Sequence, residues 1–294
     1  MPDLRLVRSV WDLGDRLAAG PEATLAAVRA AGFSAVEGST AELLPLAPHL
    51  RAAGLAVVPS VWSSWAQYAG PWVRLSVEEH LAAFRAELAG VAGLAAAAVS
   101  VLKVNAHSGC DSWTEDECVA FFQGAVAAEA EAALGVPVLH ETHRGRALHN
   151  AHLTDRVLAR VPGLLLTGDI SHFHVVHERL FGRSPGETAV FRRIADRTRH
   201  VHARVGTPQS PQVPTPATAD RETNAAHTDF WAVVFQGALD RAEEATATLE
   251  YGPPPYCPTG PGGLPHVPLE EAIEAGCAQV REVWDALGHG PKGV

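Results

Sequence analysis

Lysine is nearly missing: Lys103 and Lys292 are the only two in 294 residues, and the formal net charge is −10. A protein that grips a phosphate backbone normally presents a basic face. This balance therefore argues against nucleic acid, with a local arginine patch as the one remaining route to it. Cysteine is sparse as well. Cys110, Cys118, Cys257 and Cys277 form no CxxC pair and no dense framework, which reads as reduced thiols rather than a disulfide scaffold. No run approaches the ~20 apolar residues of a membrane-spanning helix, and the opening MPDLRLVRSV has no apolar stretch of signal-peptide length. The expectation is a cytoplasmic protein with no membrane partner. No sequence repeat and no break in composition divides the chain, so a single domain over 1–294 is expected, with 288–294 as a flexible tail.

What is present is a regular alternation. Hydrophobic residues at 47% and charged residues at 19% suffice for a large globular core. Strand-like runs occupy 4–12, 34–39, 55–63, 98–107, 136–143, 164–171, 199–206 and 246–252. Between them lie helical patterns such as 76–95 and 114–135, and the helix 269–288 closes the chain. The second of these opens on a capping box, with Thr114 as N-cap and Glu117 three residues on. Eight strands alternating with eight helices imply right-handed βαβ crossovers and a parallel sheet, and eight units close a (β/α)₈ barrel. An open doubly wound sheet is the competing architecture. Two connections, 207–228 and 252–268, are too long and proline-rich for plain turns and read as lids or disordered segments over the C-terminal mouth.

Side chains on a strand alternate between its faces. Lys103, Asn105 and His107 then share one face of strand four, His200, His202 and Arg204 one face of strand seven, and Thr246, Thr248 and Glu250 one face of strand eight. These polar faces are expected to point into the barrel. Strand ends at five, six, seven and eight deliver Glu141, Asp169, His202 and Glu250 to the rim where barrel enzymes place their chemistry. Three carboxylates and one imidazole suit a divalent ion of intermediate hardness, Mn²⁺ first, with Mg²⁺, Co²⁺ or Zn²⁺ as alternatives. Three carboxylates so close repel one another unless a cation lies between them. His172 completes a D-x-x-H with Asp169 and reads as a contact to substrate or to the ligand shell, or as a loop residue. His174 and His177 read as bystanders, and His200 as a hydrogen-bonded core residue.

These motifs resemble the xylose-isomerase-like TIM barrel superfamily, known also as sugar phosphate isomerases/epimerases. The likeness is nearest to the ketose 3-epimerases. There a Glu, an Asp, a His and a Glu on strands five to eight hold one Mn²⁺ or similar ion, and they map onto Glu141, Asp169, His202 and Glu250. The family's D-x-x-H maps onto Asp169 and His172, and its basic residue after the strand-seven His onto Arg204, although Arg204 follows His202 more closely than that pattern has it. The stretch 104–109, with Asn105 and His107, is similar to the family's substrate-side wall. Trp62 or Trp65 would stack on a sugar.

The resemblance implies a metal-dependent sugar isomerase or epimerase. It would act by proton abstraction beside a carbonyl through a metal-stabilised enediolate, with Glu141 and Glu250 as the bases on opposite faces. Its partner would be a small sugar or cyclitol, whether the chain works alone or as a homo-oligomer. Four alternatives use the same barrel: a dehydratase or lyase of a keto-sugar or inosose, a C–C or C-glycoside cleaving variant, an endonuclease IV-like repair enzyme, and a noncatalytic sugar-binding barrel. The scarcity of lysine counts against the repair enzyme.

Overall fold

A computed structural model describes residues 2–64, 70 and 72–289. Eight parallel strands close on themselves in sequence order: β1 Leu4–Ser9, β2 Ala35–Ser39, β3 Ala56–Trp62, β4 Val104–His107, β5 Val138–Glu141, β6 Leu166–Gly168, β7 Thr198–His202 and β8 Ala245–Leu249. β1 pairs with β8 through the register Leu4–Ala245 to Arg8–Leu249, which completes the ring. The expected (β/α)₈ barrel is therefore the observed fold. A main helix follows each strand: α2 Pro21–Ala30, α4 Ala47–Ala53, α5 Val77–Ala96, α6 Glu115–Ala132, α7 Ala151–Arg160, α9 Thr188–Arg197, α10 Arg221–Asp240 and α11 Leu269–Trp284. Among the described residues three short helices are extra to the expected eight: α1 Gly14–Ala19, α3 Thr40–Leu43 and α8 Ser171–His177, each just beyond the C-terminal end of a strand. Thr114 and Glu117 form the anticipated capping box on α6. No helix among the described residues is long and apolar enough to cross a membrane.

Two expectations on element bounds are corrected. Residues 98–103 are not part of β4, apart from one isolated bridge between Val57 and Val101. Ala98 has a left-handed φ of 56°, so this stretch turns the chain out of α5 before the strand begins. The long loop after β7 ends at residue 220, not 228, because the Asp220 carboxylate accepts the Thr223 N–H at 2.7 Å and starts α10. The rest of that loop is tied down. The Gln212 carboxamide, fully buried, donates to the Gly252 carbonyl at 3.0 Å and accepts the Gly252 N–H at 2.8 Å. That pair locks the β7–α10 loop to the β8–α11 loop. Only glycine fits at 252, since a Cβ there would lie 2.3 Å from the Trp11 ring.

Apolar side chains of the strands' outer faces, among them Val36, Val57, Val104, Val201, Ala247 and Leu249, merge with the helices into one large core. A second, small cluster of Val7, Ala35, Ala56 and Val58, with Leu102 against it, fills the barrel floor. Above that floor the lumen turns polar. Lys103 Nζ donates to Thr246 Oγ1 at 2.9 Å, His200 bonds both Thr246 and Thr248, and Glu37 of β2 reaches His202 of β7 across the barrel. The polar faces expected to point inward do so.

His227 on α10 is a fully buried imidazole whose Nε2 accepts the Gly206 N–H at 3.1 Å while Nδ1 donates to the Thr223 carbonyl at 3.0 Å. Burial, reinforced by Arg204 and Arg183, lowers its pKa from 6.5 to about 4. The unfolded chain thus takes up a proton near pH 6.5 that the folded chain refuses until about pH 4. Stability present above that window is lost as the pH falls through it, by about 3 kcal/mol from this one group. Urea unfolding at pH 7 and pH 4 should show that His227→Gln loses less stability on acidification than wild type; equal losses would contradict the assignment.

Candidate active site

The chain ends of β5 to β8 converge at the C-terminal mouth. Glu141, Asp169, His202 and Glu250 each bring one ligand atom within 4.8 Å of the others. Each is held by its neighbourhood. Asp169 follows Gly168, where a Cβ would fall 2.7 Å from the Phe230 ring, so α10 packs directly on this strand end. Thr142 Oγ1 clamps the Asp169 backbone, accepting its N–H at 2.9 Å and donating to its carbonyl at 3.0 Å. Asp169 Oδ1 accepts both the Ser171 hydroxyl at 2.6 Å and the Ser171 N–H at 2.9 Å. Glu141 Oε2 accepts from Asn105 Nδ2 at 3.1 Å and lies 3.1 Å from His107 Nδ1.

The inner atoms of the cluster are not paired in this way. His202 Nδ1 lies 3.5 Å from Glu141 Oε1 and 3.2 Å from Glu250 Oε2, yet all three atoms are buried and make no hydrogen bond among the described residues. Buried polar atoms are almost always satisfied; here Glu141 Oε1 and His202 Nδ1 lack a hydrogen bond and Glu250 Oε2 has only an Arg204 nitrogen at 3.3 Å, which leaves the three able to take a guest. Two carboxylate oxygens and an imidazole nitrogen, with Asp169 beside them, are a donor set for a divalent cation. The residues fit such an ion.

Charge in the cluster is balanced from within. Arg204 is fully buried and donates to Asp169 Oδ2 at 2.6 Å; its other terminal nitrogen lies 3.3 Å from Glu250 Oε2. Burial weakens the guanidinium's hold on its proton, but Asp169 and Glu250 more than restore it. Burial likewise opposes charge on His202, yet Glu37, Glu250 and Glu141 raise its pKa well above 6.5. Glu141 is held well below the usual carboxylate range by His107 and His202 despite its burial.

The other anticipated residues separate into two groups. His107 and Trp62 line a cleft of about 180 Å³ that opens beside the cluster, stacked on each other at 4.9 Å between ring centroids and 9° between planes. Glu250 and His143 share that lining. Asn105, His172 and Arg204 are fully buried and touch the ligand carboxylates or one another: His172 Nε2 sits 3.0 Å from Arg204 Nη2 and 3.7 Å from Asp169 Oδ2. Trp65 lies outside the described residues. His174 and His177 accept backbone N–H groups of Phe181 and Ala151, so both are structural, and His200 is the hydrogen-bonded core residue expected of it.

Sequence reasoning missed three residues here. Glu37 on β2 accepts from Ser60 Oγ at 3.0 Å, from Thr248 Oγ1 and from His202 Nε2 at 3.1 Å. His143 packs on His172 at 3.9 Å and forms, with His107 and Glu141, a second trio of close ligand atoms. Tyr256 lies over Arg204 at 5.0 Å and meets Trp11 edge-on at 4.9 Å, bringing the β8–α11 loop to the cleft wall. A lone carboxylate near the end of strand two was the only available signal for Glu37.

Comparison with known proteins yields likeness in structure alone: no protein-family model matches the chain, and no curated protein matches it in sequence. Among solved structures, D-allulose 3-epimerase from Methylomonas sp., in complex with D-allulose, superposes with a TM-score of 0.60 at 14% identity, covering 96% of this chain and 98% of its own. An AP endonuclease, family 2, from Brucella melitensis gives 0.60 at 15%, covering 93% and 97%. A probable 3-DHS dehydratase from Bacillus anthracis gives 0.57 at 12%, covering 94% and 97%. These structures share with this chain the fold of an eight-stranded parallel TIM barrel; one more of them is a xylose isomerase-like TIM barrel/4-hydroxyphenylpyruvate dioxygenase fusion protein, at 13% identity. Identities this low establish the architecture, and the activity has to be argued from the site.

Arg204→Met would leave Asp169 and Glu250 facing each other without their internal cation. Removing one partner of a buried pair costs about 3–5 kcal/mol, so urea unfolding of the metal-free variant should show a loss of that size, partly recovered by adding Mn²⁺. A variant as stable as wild type without metal would show that Arg204 does not neutralise the cluster.

Proposed function

We propose that the chain is a divalent-metal-dependent isomerase or epimerase that acts on a small carbonyl sugar or cyclitol. The observation behind this reading is the convergence of three buried atoms that make no hydrogen bond among the described residues, on Glu141, His202 and Glu250, beside Asp169 and next to an open cleft. The shared fold with D-allulose 3-epimerase supports it. The cleft lining includes Glu37, Glu42 and Glu250 and no lysine or arginine among the described residues, which favours an uncharged substrate over a polyanion.

A bound ion, Mn²⁺ foremost, would be held by Glu141, Asp169, His202 and Glu250, and would supply Lewis acidity to a substrate carbonyl and its neighbouring hydroxyl. The remaining work falls to the chain. Glu250, part exposed in the cleft, takes the proton from the carbon beside the carbonyl. Glu141, steadied at Oε2 by Asn105, passes a proton drawn from solvent to the other face, and Glu250 releases its own to solvent. Two bases on opposite faces invert a stereocentre, whereas one base passing a proton between adjacent carbons exchanges aldose and ketose. His172 and Arg204 hold Asp169 and orient the oxygens that approach it, and the Trp62–His107 stack forms the wall on which a sugar ring lies.

Incubating the Mn²⁺-loaded protein with a panel of ketoses and cyclitol ketones in D₂O tests the reading by NMR. Deuterium should enter at the carbon beside the carbonyl without loss of water, and Glu250→Gln should slow that entry by about 10²–10⁴-fold. Release of water with formation of an enone would replace the assignment with a dehydratase. No uptake from any member of the panel would remove proton-abstraction chemistry altogether.

A further inference from the structure

We propose that Glu37 is a positioning residue: it holds His202 with the Nε2–H directed away from the cluster, so that Nδ1 presents its lone pair to the cation. The inference rests on the metal-dependent reading above and adds to it a residue that no strand-end ligand pattern includes. A histidine ligand commonly donates its second N–H to a carboxylate, which fixes both the tautomer and the ring plane.

The direction of each hydrogen bond around Glu37 follows from the donors present. An ionised carboxylate can only accept. Ser60 Oγ therefore donates to Oε1 at 3.0 Å, Thr248 Oγ1 donates to Oε2, and His202 Nε2 donates to Oε1 at 3.1 Å. Thr248 has one hydroxyl proton and spends it on Glu37, so it must accept from His200 Nε2 at 2.8 Å. Lower still, Lys103 Nζ donates to Thr246 Oγ1 at 2.9 Å, and that hydroxyl lies 2.7 Å from His200 Nδ1. A one-way relay thus climbs the barrel axis from Lys103 through Thr246, His200 and Thr248, and it fills Glu37 with donors. The remaining ring nitrogen of this histidine pair, His202 Nδ1, is buried without a hydrogen bond among the described residues, and it faces Glu141 and Glu250.

Glu37, His200 and His202 also bring ligand atoms within 4.8 Å of one another and so form a candidate cation site of their own. Their hydrogen bonding speaks against it. Both His200 nitrogens are engaged by threonine hydroxyls, and both Glu37 oxygens already accept. An ion there would have to strip bonds that are already complete, whereas the cluster around His202 Nδ1 has bonds to gain.

The test is an EPR titration of Mn²⁺ into metal-stripped wild type, Glu37→Gln and Thr248→Val. The expected result is one tight site in wild type, a Kd raised by about 10- to 100-fold in Glu37→Gln, and a smaller rise in the same direction in Thr248→Val. The valine variant preserves shape and keeps the question answerable if Glu37→Gln does not fold. A purely architectural role would lower the unfolding midpoint of the metal-free variants and leave the Kd alone, and an unchanged Kd in both overturns the inference. In Zn²⁺-loaded wild type, ¹⁵N NMR should place the His202 proton on Nε2; a proton on Nδ1 also overturns it. Wild type that binds no Mn²⁺ fails at the earlier step, the metal reading itself, and the role of Glu37 falls with it.

Discussion

Mutual repulsion among Glu141, Asp169 and Glu250 is the constraint that organises this barrel mouth. Three carboxylates within 4.8 Å of a common imidazole, nearly all out of reach of water, cannot coexist without positive charge among them. The chain supplies part of that charge itself. Arg204 rises from the same inward face of the β7 end as His202 and closes on Asp169 at 2.6 Å. His202, pressed by three glutamates, holds its proton tightly when no cation is present. A divalent ion held there would take over the role of that proton.

Around this cluster the barrel behaves as a frame with two layers of support. Below, the Lys103–Thr246–His200–Thr248 relay fills the lumen with directed hydrogen bonds where a barrel of this size usually packs branched aliphatic side chains. Above, Gln212 and Gly252 join two proline-rich loops over the rim, and Tyr256 brings one of them onto Arg204 and Trp11. The cleft lining combines acidic residues, Glu37, Glu42 and Glu250, with aromatic ones, Trp11, Trp62 and Tyr256. The neutral polyhydroxylated ring of the proposed substrate would suit such a lining.

Much of this was legible in the sequence because period-two alternation is a local signal. His200, His202 and Arg204 had to share a face, and strand ends five to eight each offered one chemically distinctive residue. Glu37 was not legible, because its meaning lies in partners on other strands, 23, 165 and 211 residues away at Ser60, His202 and Thr248. One carboxylate in a short apolar strand gives no hint of them. The loop after β7 misled for the opposite reason. Its proline-rich composition masked Asp220, whose capping bond starts a helix eight residues before the composition changes. His172 illustrates a finer limit: its spacing from Asp169 was visible, but only packing shows it turned toward Arg204 and His143.

The most direct test of the account is to soak crystals of the protein in Mn²⁺ and compute an anomalous difference map. One peak per chain is predicted, bounded by Glu141, Asp169, His202 Nδ1 and Glu250, with Arg204 displaced little or not at all. A map without a peak there, or with its only peak between His107, Glu141 and His143, would contradict the cation site on which the proposed chemistry depends.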